Sequence, residues 1–514
     1  MLIPSIRKNI WLGTLLVALG LVALFVLYTS GISRNPPGFY MDESATAYNA
    51  YVMSRTGHGE FGPRFPLLFQ WYSGPSTSFV NPVTIYLMAL FFRFVPPSVV
   101  AARMFAAFWM FSACLLLGVL AQRISGRKSI GILVGATALL TPWLFEVSRL
   151  VWDAHFVPMA VMLFLITAYH AQKKETWAWR EVVMLAISLS ILTYGYFAGR
   201  VLAPLFALGL LFFATNRSRF FGIVKVWVLY GLTLFPTLIF SWRHPGAMAN
   251  RFELATYIKS DVPWRTSLTE FIRRYLEDQS VVGLLQTGHP LPRHHVVEAG
   301  GVFFFATFFL AMLGVLVVAL RHGRDPWWRF ILYGLAVSIL PGAITFEPFH
   351  ALRLLALPVF LLLLTVPALE WLLTSEWPSA QNARALSLVP WSARFALFFL
   401  VMALTIFEAA HFQKIYRRYG PDRGVFFDAP YKQAFDAAVA QPQRPIYLRD
   451  GFYGPAYIDG LWYAAVEGKP RSDFVHLPVG STPPPGAIVL SDEQTCDKCD
   501  LLSRSGIYLL YRQK

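Results

Sequence analysis

The stretch Val302–Leu320, VFFFATFFLAMLGVLVVAL, followed at once by Arg321 and Arg324, decides the fold class. It carries no charge, and a helix of that length approaches the roughly 30 Å hydrocarbon thickness of a bilayer. A basic cluster directly after an apolar run marks the cytoplasmic end of a span. Leu352–Leu373 is similarly apolar through its interior. Hydrophobic residues make up 56% of the 514, and charged residues only 14%. A soluble globular chain carries about 25% charged residues, so this one lacks the polar surface to face water throughout.

The formal net charge is +15. Basic residues nevertheless sit in short clusters between apolar runs and form no single stripe, which points to loops facing anionic lipid and away from nucleic acid. Arg7 and Lys8 precede Ile10–Tyr28. That run is long and no A-x-A-like site follows it, so it reads as an uncleaved first span with a cytoplasmic N-terminus. The cluster Arg123, Arg127 and Lys128 makes Val99–Leu120 the second span, running inward. Residues 29–98 then form one long external loop. Val83–Val95 inside it is too short to cross and carries Arg93, so an interfacial helix is expected there.

The alternation continues along the chain. Ile130–Phe145 goes out, Phe156–Ala171 returns to Lys173 and Lys174, and Val182–Ala198 goes out. Val201–Ala214 returns to Arg217 and Arg219, and Phe220–Trp242 goes out to a large external loop, 243–300. Val302–Leu320 returns, Trp327–Ile344 goes out, Leu352–Leu373 returns and Phe395–Ala410 goes out. The result is about eleven spans, with every Lys/Arg-rich turn on one side. The expected fold is therefore an α-helical polytopic membrane domain over 1–411 and a small extracytoplasmic α/β domain over 412–514. Strand-like runs Pro445–Leu448 and Ala487–Leu490, with Pro/Gly turns, suggest the second domain. Cys114 lies in an apolar run. Cys496 and Cys499 form a lone CxxC, suited to a disulfide in an oxidising compartment; no second ligand pair suggests zinc.

Four external turns hold the residues able to do chemistry. Asp42 and Glu43 stand in Gly38–Tyr51, GFYMDESATAYNAY, soon after the first span. Ionised carboxylates near hydrocarbon are costly, and either a partner or a function is expected. Asp42 suits a helix N-cap, and that role is compatible with acid–base work. The second turn, Ser148–His155, carries Arg149 and Asp153 at i, i+4, the spacing of a helical ion pair. The third, Tyr194–Arg200, holds Tyr196 and Arg200, and the fourth, Phe346–Arg353, holds His350 and Arg353. Arginine matches phosphate through its bidentate fork, though arginines also anchor at lipid headgroups. His289, His294 and His295 lack metal-ligand spacing and read as solvated loop residues. External acids and arginines with access to the bilayer suit a reaction on a phosphate-linked lipid.

These features, in this order, resemble the GT-C integral-membrane glycosyltransferases, specifically the family of protein O-mannosyltransferases and the lipid A aminoarabinose transferase. The resemblance rests on Asp42-Glu43, Ser148-Arg149 through Asp153, Tyr196 to Arg200, and Pro348-Phe-His350-Ala-Leu-Arg353. It implies an inverting transfer from a polyprenyl-phosphate sugar donor to a glycan, lipid or protein acceptor at the extracytoplasmic face of the cell (inner) membrane. By similarity Asp42 is the general base assisted by Glu43, and Asp153 is the second acid beside Arg149. Tyr196, Arg200, His350 and Arg353 then hold the donor. No cofactor is certain: some members place a divalent cation, magnesium or manganese, at the paired acids and others do not. Ala45 stands where protein mannosyltransferases have histidine, and no long repeat-bearing insertion occurs, which disfavours a protein acceptor. The rival readings are a flippase or transporter of lipid-linked sugars and a non-enzymatic assembly subunit. A transporter calls for charged or broken mid-span segments, and charged mid-span residues are nearly absent here.

Overall fold

A computed structural model describes residues 3–73, 77–248, 250–375, 388–451, 454–478, 480–493 and 498–514. The chain is a mainly helical, multi-pass membrane protein. Among the described residues, five helices are long and apolar enough to cross a membrane: Val99–Ser125, Asp153–Gln172, Arg217–Arg243, Phe305–His322 and Trp391–Phe427. Shorter apolar helices include Leu15–Tyr28, Lys128–Leu140, Phe197–Phe213 and Leu357–Leu373. With Trp179–Gly195 and Pro326–Val337, a helix stands at every expected span. The interfacial segment is a helix over Pro82–Phe92. At 1.5 Å per residue it is about 16 Å long, too short to cross.

Local chemistry sets where these helices stop. Ser98 caps the Val99–Ser125 helix through the N–H of Ala101, and Gly126 ends it at φ +69°. The chain then turns back so closely that a Cβ on Gly118 would lie 2.6 Å from the Gly131 carbonyl oxygen. Small residues allow such backbone contact between membrane helices. The expected run Ile130–Phe145 divides at Thr141 because Pro142 keeps its predecessor out of the helical region. Val302–Phe304 stays extended, with the Val302 carbonyl accepting from Trp143 N–H and Phe303 N–H donating to the Leu284 carbonyl. The last of the returning helices begins at Leu357, not Leu352, with Pro358 in its first turn. Residues 350–356 are thereby left as a turn before the helix.

The C-terminal region is α/β. Among the described residues its five strands are β3 Ile446–Arg449, β4 Phe474–Leu477, β5 Ile488–Ser491, β6 Cys499–Ser505 and β7 Tyr508–Gln513, in the order β4-β3-β5-β7-β6. β3 pairs in parallel with β4 and β5, while β5–β7 and β6–β7 are antiparallel. Cys499 is disulfide-bonded and Cys114 is a buried free thiol; Cys496 lies outside the described residues.

The first loop and this region share a hydrophobic core. Phe39, Tyr48, Phe69 and Trp71 from the loop, with Ile85 and Phe92 of the short helix, are buried with Tyr431, Phe435, Leu448, Trp462 and Leu510. Phe39 stacks on Trp462 at 5.5 Å between ring centres. Gly38 lies at φ +70°, and a Cβ there would meet the Phe427 carbonyl oxygen at 2.2 Å, so only glycine allows this approach. The first loop also contains a strand pair, β1 Phe69–Trp71 with β2 Ser78–Val80.

One buried ion pair fixes the loop to the membrane helices. Arg103, 1% exposed, donates to Glu43, 0% exposed, through Nη2 to Oε2 at 3.1 Å and Nε to Oε1 at 3.4 Å. Its remaining N–H groups reach the carbonyls of Pro36 at 2.5 Å and Gly38 at 2.9 Å. Glu43 also accepts from Tyr40 N–H at 3.2 Å and Val151 N–H at 3.1 Å. Removing one partner of such a pair strands a buried charge and costs about 3–5 kcal/mol, whereas replacing both with apolar residues costs far less. Thermal unfolding in detergent is therefore expected to show a large loss of stability for Arg103→Met and for Glu43→Leu. The double variant is expected to recover most of it.

Candidate active site

Asp42 owes its position to the helix Met41–Thr56. Its predecessor Tyr40 is the N-cap, extended at φ −70° and ψ 151°, and Glu43 reaches back to the Tyr40 N–H. Asp42 is therefore not the cap residue; it stands in the first turn, where the helix dipole favours a negative charge. Successive helical residues diverge by about 100°, so adjacent acids face different ways. Glu43 faces Arg103, and Asp42 faces a cavity of about 350 Å³. The Tyr72 hydroxyl donates to Asp42 Oδ1 at 2.7 Å.

Asp153, Tyr196, Arg200, His350 and Arg353 line the same cavity. The chain from Ser148 to Asp153 is not one helix: it leaves helical geometry after Val147, and Asp153 opens a short 3-10 turn. The i, i+4 pairing of Arg149 with Asp153 therefore does not form. Asn81 instead donates to Asp153 Oδ2 at 3.3 Å and accepts from Arg200 Nη2 at 2.8 Å, linking acid to arginine. Arg149 points away from the cavity. It is 1% exposed, donates to the carbonyls of Tyr28 at 2.5 Å and Phe145 at 3.3 Å, and lies 3.7 Å over the Phe145 ring. Of the residues chosen from sequence, Glu43 and Arg149 are the two that the cavity does not include.

The fourth turn is held from below by Asp278. Its Oδ1 accepts the Phe349 N–H at 2.6 Å, and Phe349 adopts φ +49°. Beyond that bend Arg353 pairs with Glu347 at 3.0 Å and donates to Thr345 at 2.8 Å, while His350 lies 3.4 Å from Glu347. His289, His294 and His350 are buried with ring centres 4.6–5.1 Å apart. Burial pushes His289 down to about 4; burial also holds His294 and His350 well below the ordinary imidazole range, with Arg353 adding to it. These rings are neutral at neutral pH. The expectation of solvated loop histidines does not hold for His289, His294 and His295, all of which are buried.

Sequence reading missed Asn81, Arg293, His294, Glu347 and Tyr72. Arg293 lines the cavity 3.5 Å over the Tyr40 ring, with Nε donating to the Phe426 carbonyl at 3.1 Å. The one available signal was a basic residue in a loop assigned to the side poor in basic residues. Asn81 precedes a proline-started helix and looks like an ordinary cap, so nothing marked it.

The cavity thus combines three acids, Asp42, Asp153 and Glu347, with three arginines and neutral imidazoles. Asp42 and Glu43 do not converge on one point, since Glu43 is committed to Arg103 and two backbone N–H groups. They do not fit a shared magnesium or manganese ion, which needs oxygen ligands around a single centre. The ring nitrogens of His289, His294 and His350 lie within 4.8 Å of one another. Imidazole suits softer metals, but His289 Nδ1 accepts the Leu291 N–H at 3.1 Å, which assigns its proton to the other nitrogen.

Burial pushes the Asp278 carboxyl up to about 7. A carboxyl whose pKa is raised by folding stabilises the folded state below its unfolded pKa of about 3.9, and that contribution is lost as pH rises to about 7. Thermal unfolding measured between pH 4 and 7.5 is expected to fall less steeply with pH in Asp278→Asn than in the unaltered chain.

No protein-family model and no curated protein matches the sequence. Among solved structures, ArnT from Cupriavidus metallidurans bound to undecaprenyl phosphate aligns at 12% identity with TM-score 0.55, covering 96% of this chain and 97% of that one. The apo state of ArnT gives 12% identity and TM-score 0.56, over 96% and 98%. At this identity the likeness concerns fold, and it extends over nearly the whole of both chains. The fold of this chain is that of ArnT.

Proposed function

We propose that this protein is an inverting membrane glycosyltransferase that moves a sugar from a polyprenyl-phosphate donor to an acceptor hydroxyl at the extracytoplasmic face. The observation that carries this reading is the convergence of Asp42 with Arg200, Arg293 and Arg353 on one cavity. Its fold is shared with a protein whose structure holds undecaprenyl phosphate. The placement of the face rests on the bias of Lys and Arg toward the opposite loops.

The reaction asks for two things at once. A base must take the acceptor's proton as its oxygen attacks the anomeric carbon, and the bond from that carbon to the phosphate oxygen must break. In this reading Asp42 takes the proton and the polyprenyl phosphate leaves with the bonding electron pair. The new charge on the phosphate is met by Arg200, Arg293 and Arg353, preorganised donors of the kind that stabilise a developing anion. Asp153, tied through Asn81 to Arg200, sets that arginine's position and accepts sugar hydroxyls. Glu347, 45% exposed, stands on Arg353 as the counter-ion that a donor phosphate would displace. The neutral imidazoles of His294 and His350 supply hydrogen bonds without adding charge.

Purified full-length chain in liposomes is to be given labelled undecaprenyl-phosphate-linked aminoarabinose, mannose and glucose, with release of undecaprenyl phosphate and labelled product both followed. Asp42→Asn is expected to lower transfer by about 10²- to 10⁴-fold, the range of a lost general base. Arg353→Ala is expected to lower kcat by about 10²- to 10³-fold, as for other lost anion-stabilising donors. Undiminished transfer by Asp42→Asn overturns the mechanism. Movement of the intact donor across the bilayer without cleavage overturns the function.

A further inference from the structure

Asn81 stands where an asparagine ordinarily caps a helix. It is extended at φ −75° and ψ 145°, with Pro82 opening the helix Pro82–Phe92, yet its side chain makes no capping hydrogen bond. An N-cap asparagine normally accepts an N–H of the first turn, and forgoing that bond costs stability. The carboxamide reaches across the cavity wall instead. It is 3% exposed, with Oδ1 accepting from Arg200 Nη2 at 2.8 Å and Nδ2 donating to Asp153 Oδ2 at 3.3 Å. The backbone on either side leaves it little freedom. Val80 before it pairs with Phe69 in the β1–β2 ladder, and a proline follows.

Arg200 is a costly residue to hold there. It lies near the start of the helix Phe197–Gly209, the end at which the helix dipole disfavours a cation. Arg103 and Arg353 each face a carboxylate, Glu43 at 3.1 Å and Glu347 at 3.0 Å. Among the described residues no ion pair joins Arg200 to an acid; a neutral amide holds it, standing between it and Asp153. A tether without charge has a use at this place. The donor's phosphodiester carries one negative charge, and cleavage of its bond to the sugar leaves a phosphate that gains a second, with a pKa of about 6. An amide aims the guanidinium and leaves its charge for that phosphate. A carboxylate in the same position would hold the arginine more tightly and cancel it.

We propose that Asn81 is the positioning residue for Arg200, and that its neutrality reserves the arginine's charge for the phosphate as it leaves. The proposal rests on Arg200 meeting the donor phosphate. It goes further in making the first loop, which already carries Asp42, decide how well the leaving group is stabilised.

The test turns on an order. If Asn81 is only a brace, aspartate, of the same size and a stronger acceptor, is tolerated better than alanine. If its neutrality matters, aspartate is the worse of the two. Both substitutions are made in the full-length chain in liposomes, singly and together with Asp153→Asn, which removes the acid that a new carboxylate would face. Equilibrium binding of undecaprenyl phosphate, kcat and KM on the undecaprenyl-phosphate donor panel, and thermal unfolding are measured for each. Asn81→Ala is expected to weaken undecaprenyl phosphate binding by about tenfold and Asn81→Asp by about 30- to 100-fold, in both backgrounds. Loss of kcat is expected to follow the same order, while KM for the singly charged donor moves by about threefold or less. The unfolding temperature of Asn81→Asp with Asp153→Asn is expected to match that of Asp153→Asn alone. Should Asn81→Asp by itself not fold, that pair decides. Undecaprenyl phosphate bound by Asn81→Asp at least as tightly as by Asn81→Ala overturns the proposal. If the order is as expected while Asp42→Asn retains full transfer, the role of Asn81 stands and the base assignment fails. If the unaltered chain binds no undecaprenyl phosphate, the donor reading and this proposal fall together.

Discussion

The site depends first on the Glu43–Arg103 pair. Two acids adjacent in sequence would repel each other if both faced one cavity; here an arginine from a membrane helix takes one of them out of solvent entirely. The same guanidinium fastens the Pro36 and Gly38 carbonyls, and the same carboxylate fastens Tyr40 and Val151. Four backbone groups, three from residues 36–40 and one from Val151, therefore meet at one buried charge pair. Once they meet, the helix beginning at Met41 has one available orientation, and in it Asp42 faces inward. A buried pair is weak evidence for stability in itself. Its better attested use is to specify register, and register is what an acid one residue away requires.

A second constraint comes from the far end of the chain. Asp428, at φ +51°, accepts the Met41 N–H at 3.3 Å and the Tyr508 hydroxyl at 2.9 Å. The residue that starts the helix of Asp42 is thus bonded to the C-terminal region, whose aromatic side chains also complete the core beneath that helix. The membrane helices supply Arg103 and Arg200, the turns at their ends supply Asp153 and Arg353, and the C-terminal region packs against the first loop that carries Asp42.

The helical membrane architecture was legible in the sequence because hydrocarbon thickness imposes a length and charge imposes a direction. What was not legible was interrupted within the spans by tertiary contacts. Thr141 before Pro142 is a local signal and could have been read; the extended Val302–Phe304 depends on carbonyls and amides from distant loops and could not. At the site, Asp42, Asp153, Arg200 and Arg353 were visible as charges at one end of the spans. The separate fates of Asp42 and Glu43 were not, since they hinge on Arg103, 60 positions away. Arg149 was misjudged for a similar reason: an i, i+4 argument presumes a helix, and the chain leaves one after Val147. Its guanidinium is consumed by the Tyr28 carbonyl, 121 positions upstream.

The shared core also has a consequence for synthesis. Met41 and Asp428 are separated by 387 positions. At about 5–20 residues per second, the ribosome needs roughly 20–80 s to travel between them. Through that interval Phe39, Tyr48, Trp71 and Phe92 have no Tyr431, Phe435 or Trp462 to cover them. The nascent first loop is therefore a sticky, half-built surface during most of translation, and its protection is a task for the cell before it is a property of the fold.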